Sequence, residues 1–273
     1  MKAELKHFDA LLLVSFGVSM PEVKKNSIDA LEHKMGAVFK DLHIVSAFTS
    51  EMIRAKLQRL QEPCPPNPDL ALQDLQALGY RRVLIVSSHI LPAYEYEKMC
   101  RQIELHKRYF DELCIAEPLL YRPKDYKELV AALQEIYPLL DDELLVLMGH
   151  GSEHPMNAAY AALQYEASLA LPQQMLIGTV EGYPELDDII EQLNLISQSR
   201  ARKPKIILAP LLLVAGEHAR NDMASDEPDS WKSRLEALGY EVELRLKGLG
   251  ESSAIQDLYV EHALRACGQK KMS

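Results

Sequence analysis

The stretch LLVLMGHGSEHP (144–155) joins an apolar run to a histidine that lies between two glycines. A short, continuously apolar run that ends at a turn signal predicts a buried strand. Gly149 and Gly151 leave the ring of His150 uncrowded and let the backbone approach a bulky ligand closely. We therefore predict a buried strand that presents an imidazole at its carboxyl end.

The same kind of apolar run recurs along the chain and alternates with helical patterns. Strand, helix, strand alternation with continuously apolar strands is typical of parallel sheets covered on both faces. The predicted strands are ALLLVSF (10–16), HIVSAF (43–48), VLIVSSHI (83–90), LCIAEP (113–118), LLVLMG (144–149), MLIGTV (175–180), KIILAPLLLV (205–214) and VELRL (242–246).

Strand spacing and local sequence repeat between the two halves of the chain. SFGVS (15–19) corresponds to GHGSE (149–153), and LQALGYRRV (75–83) corresponds to LEALGYEVE (235–243). We expect an α/β protein with two similar Rossmann-like domains, 1–130 and 131–273, whose parallel sheets face a central cleft. The terminal helix can pack on either domain, the N-terminal half included.

Composition excludes several classes of protein. The chain is 48% hydrophobic and 26% charged, as in ordinary globular proteins, and its formal charge of −10 opposes binding to nucleic acid or to an anionic membrane. Its four cysteines form no CxxC pair, so no disulfide framework or thiolate zinc site is indicated. No phosphate-loop motif is present, which predicts no nucleotide. The apolar run after Lys2 and Lys6 is too short for a leader or a membrane span, which predicts a cytoplasmic protein.

Ligands of open parallel sheets collect beyond the carboxyl ends of the strands. The polar residues predicted there are Ser15, Ser50, His89, Glu95, His150, Glu181 and His218. Two imidazoles and one carboxylate, from His150, His218 and Glu95, suit a borderline divalent cation. Structural roles stay open for each: a hydrogen-bonded histidine at a strand end, or a glutamate that stabilises a helix N-terminus. For His89 we favour a packing role.

The acidic stretch NDMASDEPDSW (221–231) is interpreted as a loop in which Asp229 or Ser230 caps a helix beginning at Trp231. The functional alternative is a surface that feeds cations to the cleft.

Several motifs together resemble one family of enzymes. They are SFGVS, AFTSEMIRAKL (47–57), the segment 89–99 with EYEKM, MGHGSEHP (148–155), VEGYPELD (180–187) and LLLVAGEHARNDMASDEPDSWKSRLEALGY (211–240). Over essentially the whole chain they resemble the anaerobic cobaltochelatases, class II chelatases that insert Co²⁺ into sirohydrochlorin. The resemblance implies a ferrochelatase-like fold and a metal site of His150, His218 and Glu95, with the histidines also catalytic.

The resemblance further implies an ATP-independent lyase of cobalamin biosynthesis. Co²⁺ would be its substrate metal, with Fe²⁺, Ni²⁺ or Zn²⁺ as substitutes in vitro, and sirohydrochlorin its organic substrate. Phe16, Leu91 and Tyr96 are predicted wall residues, and Glu181 is predicted to contact the substrate. Three alternatives stay open: an iron or nickel chelatase of the same fold, a non-catalytic carrier of tetrapyrrole or metal, and a solute receptor, which the missing leader disfavours. Self-association is left open.

Overall fold

The computed structural model describes residues 7–268, and the chain divides into two compact units. One unit comprises the chain up to Tyr121 and again from Ile255 onward, and the other runs from Arg122 to Ala254. Lys2 and Lys6, which entered the argument against a leader, lie outside the described residues.

The first unit contains a four-stranded parallel sheet in the order β2-β1-β3-β4. Its strands are β1 (Ala10–Ser15), β2 (His43–Phe48), β3 (Arg82–Ser87) and β4 (Glu112–Ile115). Its helices are α1 (Pro21–Lys24), α2 (Ala30–Val38), α3 (Glu51–Arg59), α4 (Pro68–Ala77) and α5 (Tyr94–His106), with a π-helical turn at Lys25–Asp29 and a 3₁₀ turn at Lys107–Tyr109.

The central strand β1 is buried along its whole length, and all its residues before Ser15 are apolar, as expected for a parallel sheet covered by helices on both faces. Leu12 is fully buried and lies opposite Val45 of β2 and Ile85 of β3. The helices begin where the sequence supplies caps: the Ser50 hydroxyl accepts from the backbone N–H of Ile53 at 3.3 Å.

The second unit repeats this arrangement with a parallel sheet in the order β6-β5-β7-β8. Its strands are β5 (Glu143–Gly149), β6 (Met175–Thr179), β7 (Lys205–Pro210) and β8 (Val242–Leu244). Its helices are α6 (Pro123–Ile136), α7 (Ala158–Ala170), α8 (Leu186–Gln198) and α9 (Trp231–Ala237), with 3₁₀ turns at Pro155–Asn157 and Leu249–Glu251 and a π-helical turn at Ala219–Met223.

Two sheets with the same strand order confirm the predicted fold class, two similar α/β halves with parallel sheets. The second unit begins earlier than the predicted boundary at 130/131, which would fall inside α6. Strand spacing does not locate such a boundary, because a helix between two sheets can pack on either of them.

Two details of the second unit refine the predicted elements. The strand expected over 205–214 ends at Pro210, since proline has no N–H to continue the ladder, and the following apolar residues form bends. Ser230 caps α9 as predicted: its hydroxyl accepts from the backbone N–H of Ser233 at 3.1 Å.

The last helix, α10 (Ser253–Ala266), returns to the first unit. Tyr259 is fully buried there, and its hydroxyl donates to the backbone carbonyl of Ser88 at 2.8 Å. His262, also buried, donates from Nδ1 to the Glu117 carbonyl at 2.9 Å. Within residues 7–268, no helix has the length and apolarity needed to cross a bilayer.

Candidate metal centre

Three neighbouring strands of the second unit each lead to one potential metal ligand. His150 follows β5 directly, Glu181 lies two residues beyond the end of β6, and His218 follows β7 after a short irregular segment. Because the strands are parallel and lie side by side in the order β6-β5-β7, their carboxyl ends share one edge of the sheet. The topology therefore brings together residues that are far apart in the sequence.

Glycines allow the loops after β5 and β6 to approach each other. Gly151 has a φ of +81°, and a Cβ built there would lie 2.5 Å from the backbone nitrogen of Gly182. The backbone N–H of Glu181 donates to the carbonyl of His150 at 2.8 Å. The backbones that carry these two ligands are therefore tied directly to each other.

Both imidazoles hold their Nδ1 atoms against groups that can only accept a hydrogen bond. Nδ1 of His150 lies 3.0 Å from the Gly151 carbonyl, and Nδ1 of His218 lies 2.7 Å from Oδ2 of Asp222. Nδ1 must therefore be the donor, so a neutral ring has its lone pair on Nε2. Each ring is thus prepared to bind a cation through Nε2.

The three side chains are close enough to share one ion. One ligand atom from each of His150, Glu181 and His218 lies within 4.8 Å of the other two, and the two imidazole rings meet edge to face at 4.7 Å between centroids. Ligand atoms around an ion with bonds of about 2.1 Å stand roughly 3 to 3.5 Å apart. The side chains are 38–57% exposed, and binding one ion would require a small closing movement.

The donor set determines which cations the cluster can take. Two imidazole nitrogens and one carboxylate oxygen suit Co²⁺, Ni²⁺, Fe²⁺ and Zn²⁺, and three protein ligands leave coordination positions for water or a substrate. The cluster contains no thiolate, which would hold such an ion tightly. The arrangement is therefore able to bind a borderline divalent cation and release it.

Glu181 is predicted from the sequence to contact the substrate. Its Oε2 lies 3.7 Å from Nδ1 of His150, and it is one of the three residues that could hold a metal ion. Glu181 lies close to His150 because it follows β6, the strand that pairs with β5. The sequence does not indicate this proximity, because strand pairing cannot be read from strand spacing.

Glu95, the predicted third ligand, belongs to the first unit and lies in the first turn of α5. Its Oε2 is buried without a hydrogen-bond partner among the described residues, and its Oε1 lies 3.9 Å from the Lys98 ammonium. A buried carboxylate oxygen without a partner is costly unless another group satisfies it. Its role as a metal ligand stays a prediction.

The other predicted residues of the first unit differ in what they offer a ligand. Phe16 is 42% exposed, whereas Leu91 is 9% exposed. Tyr96 is half-buried and packs edge-on against His89, at 6.3 Å between ring centroids. Nδ1 of His89 forms a hydrogen bond with the Ser87 hydroxyl at 2.8 Å, which agrees with the packing role that we favour for His89. Phe16 is therefore the most exposed of the three predicted wall residues.

The acidic stretch after His218 lines a cavity of about 550 Å³ in the second unit. Asp222, Glu227 and Asp229 contribute to its wall together with Trp231. Its suggested role in feeding cations stays a prediction.

Two solved structures share the fold of this chain. SirB from Bacillus subtilis, solved with Fe³⁺, superposes with a TM-score of 0.64 at 15% identity, covering 98% of this chain and all of that one. CbiX, described as the terminal enzyme for biosynthesis of siroheme in denitrifying bacteria, gives a TM-score of 0.53 at 17% identity over 93% of this chain and 97% of its own. At these identities the likeness defines the fold alone.

Sequence comparison defines the family within that fold. Residues 9–267 match the model of the cobalt chelatase CbiK, and the chain belongs to this family. It is 41% identical over 258 residues to the sirohydrochlorin cobaltochelatase of Salmonella typhimurium, covering 94% of this chain and 96% of that protein. It is 32% identical over 263 residues to the sirohydrochlorin cobaltochelatase CbiKC of Nitratidesulfovibrio vulgaris, covering 94% and 89%.

Proposed function

We propose that this protein inserts Co²⁺ into sirohydrochlorin, without ATP, in the anaerobic synthesis of cobalamin. The observation that carries the proposal is the cluster of His150, Glu181 and His218 at one sheet edge, in a chain whose family and relatives are cobalt chelatases. We place the reaction in the cytoplasm, as the sequence predicts.

The cluster provides the starting point of the reaction. One nitrogen of each imidazole and the Glu181 carboxylate would hold Co²⁺ with coordination positions left for the incoming macrocycle. Holding both reactants at one site removes much of the entropic barrier to their encounter. Exchange of protein ligands for pyrrole nitrogens is practicable because no thiolate competes for the ion.

Proton balance requires a base at the same site. As two N–Co bonds replace two pyrrole N–H bonds, two protons leave while one divalent cation enters. A neutral imidazole released by the cation can accept one proton, and the other passes to solvent. His150 and His218 are therefore both ligands and candidate bases.

We assign Glu95 and Phe16 to the stage at which the macrocycle is bound. Glu95 has a buried oxygen in need of a partner, and the ring of Phe16 is accessible to an apolar surface. Glu95 would then become a cation ligand during transfer rather than in the substrate-free protein. Leu91 and Tyr96 are further wall residues in this proposal.

The test is metallation of sirohydrochlorin by the full chain under anaerobic conditions. Metal-free sirohydrochlorin is mixed with protein and Co²⁺, Fe²⁺, Ni²⁺ or Zn²⁺ in separate reactions, and the visible spectrum is followed. We expect the protein to accelerate insertion of Co²⁺. Faster insertion of Fe²⁺ or Ni²⁺ would favour the alternative chelatases, and binding without acceleration would favour a carrier.

Histidine variants test the site itself. His150→Ala and His218→Ala are each expected to lower the insertion rate on the order of 100-fold, because each removes a ligand and a candidate base. His33→Ala, which removes an exposed histidine of α2, is the matched control and should keep the parent rate. A parent rate in either site variant would remove that histidine from the mechanism.

A further inference from the structure

Asp222 lies next to a proposed ligand on an unusual helical turn. His218 immediately precedes the π-helical turn Ala219–Met223. Asp222 lies within this turn, four residues after His218. Side chains separated by four residues share a helix face, and Oδ2 of Asp222 lies 2.7 Å from Nδ1 of His218. π-helical turns occur mostly as single turns, frequently at functional sites.

We propose that Asp222 is a positioning residue that holds His218 in the tautomer and orientation needed to bind the cation through Nε2. The inference rests on the proposed function. It adds to the proposed ligand His218 a residue that positions its ring. A neutral imidazole has one N–H, and a carboxylate only accepts, so this contact keeps the hydrogen on Nδ1. Without it the ring can carry the hydrogen on Nε2, where it blocks coordination.

The surroundings of His218 explain why such a partner is needed. Its side chain is 38% exposed, so packing alone does not hold the ring at right angles to that of His150. His150 obtains its orientation from the backbone carbonyl of Gly151, whereas His218 depends on a side chain. A carboxylate partner also makes the imidazole a stronger electron donor to the metal.

A structural role for the same contact predicts a different result. Asp222 is 43% exposed, and exposed ion pairs contribute little to folding. Removal of its carboxylate is therefore expected to leave the fold unchanged while weakening cation binding. Partners of this kind typically change metal affinity 10- to 100-fold.

The first experiment measures Co²⁺ binding to the full chain without tetrapyrrole, by absorption titration. Asp222→Ala is expected to weaken affinity about 10- to 100-fold, and Asp222→Asn, which keeps an acceptor but loses the charge, less so. Asp226→Asn is the matched control, since it removes one charge from the same segment and its carboxylate pairs with Lys232. Equal affinity of folded Asp222→Ala and parent protein would overturn the proposal.

A double-variant comparison separates a local role from a general electrostatic one. In a His218→Ala background, Asp222→Ala should cause no further loss of affinity, because the residue it positions is gone. In a His150→Ala background its full effect should persist. Equal losses in both backgrounds would contradict the proposed role.

The second experiment reads the tautomer directly. Nitrogen NMR of the metal-free protein at about pH 8 should show His218 with its hydrogen on Nδ1, and Asp222→Ala should show a mixture of both forms. A parent protein with the hydrogen on Nε2 of His218 would refute the proposal, whatever the Co²⁺ affinity. Neither experiment uses sirohydrochlorin, so failure to metallate it would count against the proposed function alone.

Discussion

Two glutamates are candidates for the oxygen ligand beside the imidazoles. Glu181 lies in the cluster, and Glu95 belongs to the other compact unit. Strand-end position and the family resemblance both indicate Glu95, whereas distances within the second unit indicate Glu181. The two assignments agree if the residues act at different stages of the reaction.

This assignment predicts opposite behaviour of two conservative variants. Glu181→Gln should weaken Co²⁺ binding by the substrate-free protein about tenfold, because an amide oxygen is a poorer ligand than a carboxylate. Glu95→Gln should leave that affinity unchanged and lower the insertion rate. Glu153→Gln, an exposed change in the loop that carries His150, is the control in both assays. Loss of Co²⁺ affinity in Glu95→Gln would show that Glu95 is a resting ligand.

The burial of His89 affects how the stability of the protein depends on pH. Burial lowers the pKa of His89 to about 4, and its Nε2 has no hydrogen-bond partner among the described residues. The unfolded chain binds a proton on this ring near pH ~6.5, whereas the native state stays neutral down to about pH 4. The free energy of unfolding therefore falls as the pH falls through this window.

We expect His89 to account for roughly 2 kcal/mol of stability lost between about pH 7 and pH 5. His89→Gln, which does not titrate, should lose correspondingly less, as measured by urea unfolding at both pH values. His33→Gln removes an exposed histidine of α2 and should retain the parent dependence. The same pH dependence in His89→Gln and the parent would contradict this account.

At the scale of the element, the loop after β5 depends on backbone geometry that side chains do not permit. Gly151 has a positive φ, and the space where a Cβ would lie is occupied by backbone of the loop after β6. The same approach allows the hydrogen bond between Glu181 and His150. The placement of His150 and Glu181 therefore depends on the close approach of these two loops.

Gly151→Ala is expected to cost about 2–4 kcal/mol of unfolding free energy and to weaken Co²⁺ binding, since two backbones must separate. Gly239→Ala is the control: Gly239 has a φ of +80° in the same unit, and its nearest neighbour is the end of a lysine side chain at 3.7 Å. It should cost about 1 kcal/mol and leave Co²⁺ affinity unchanged. Equal effects of the two substitutions on Co²⁺ affinity would show that loop contact is unimportant.

At the scale of the whole molecule, one strand order is used twice with different chemistry. The positions after β5 and β7 carry His150 and His218, whereas the corresponding segments of the first unit carry Phe16 and Glu95. The three residues that could hold a metal ion all lie within Arg122–Ala254, while α10 belongs to the first unit.

A chain ending at Ala254 tests this division. It lacks the buried residues Ile255, Tyr259 and Ala263 of α10, so the first unit should become sensitive to protease while the second stays resistant and binds Co²⁺. Tyr259→Phe keeps the buried surface and loses one hydrogen bond, so it should cost only about 1 kcal/mol. Loss of Co²⁺ binding by the truncated chain would show that the cluster needs the first unit.

The sequence by itself determined the fold class and the two similar halves, and it predicted that His150 and His218 belong to one site. These depend on local signals: continuous apolar runs, a repeated spacing, and histidines at strand ends. The cap at Ser230 is local in the same way, because a capping side chain bonds within three residues of itself.

Only the tertiary structure decided which polar residues meet. Glu181 joins the imidazoles because β6 pairs with β5, and folding places Oδ2 of Asp222 2.7 Å from Nδ1 of His218. Strand order and helix phase are set by packing among distant segments, which no local pattern in the sequence records. Packing of this kind also sets the start of the second unit at Arg122, ahead of the predicted boundary.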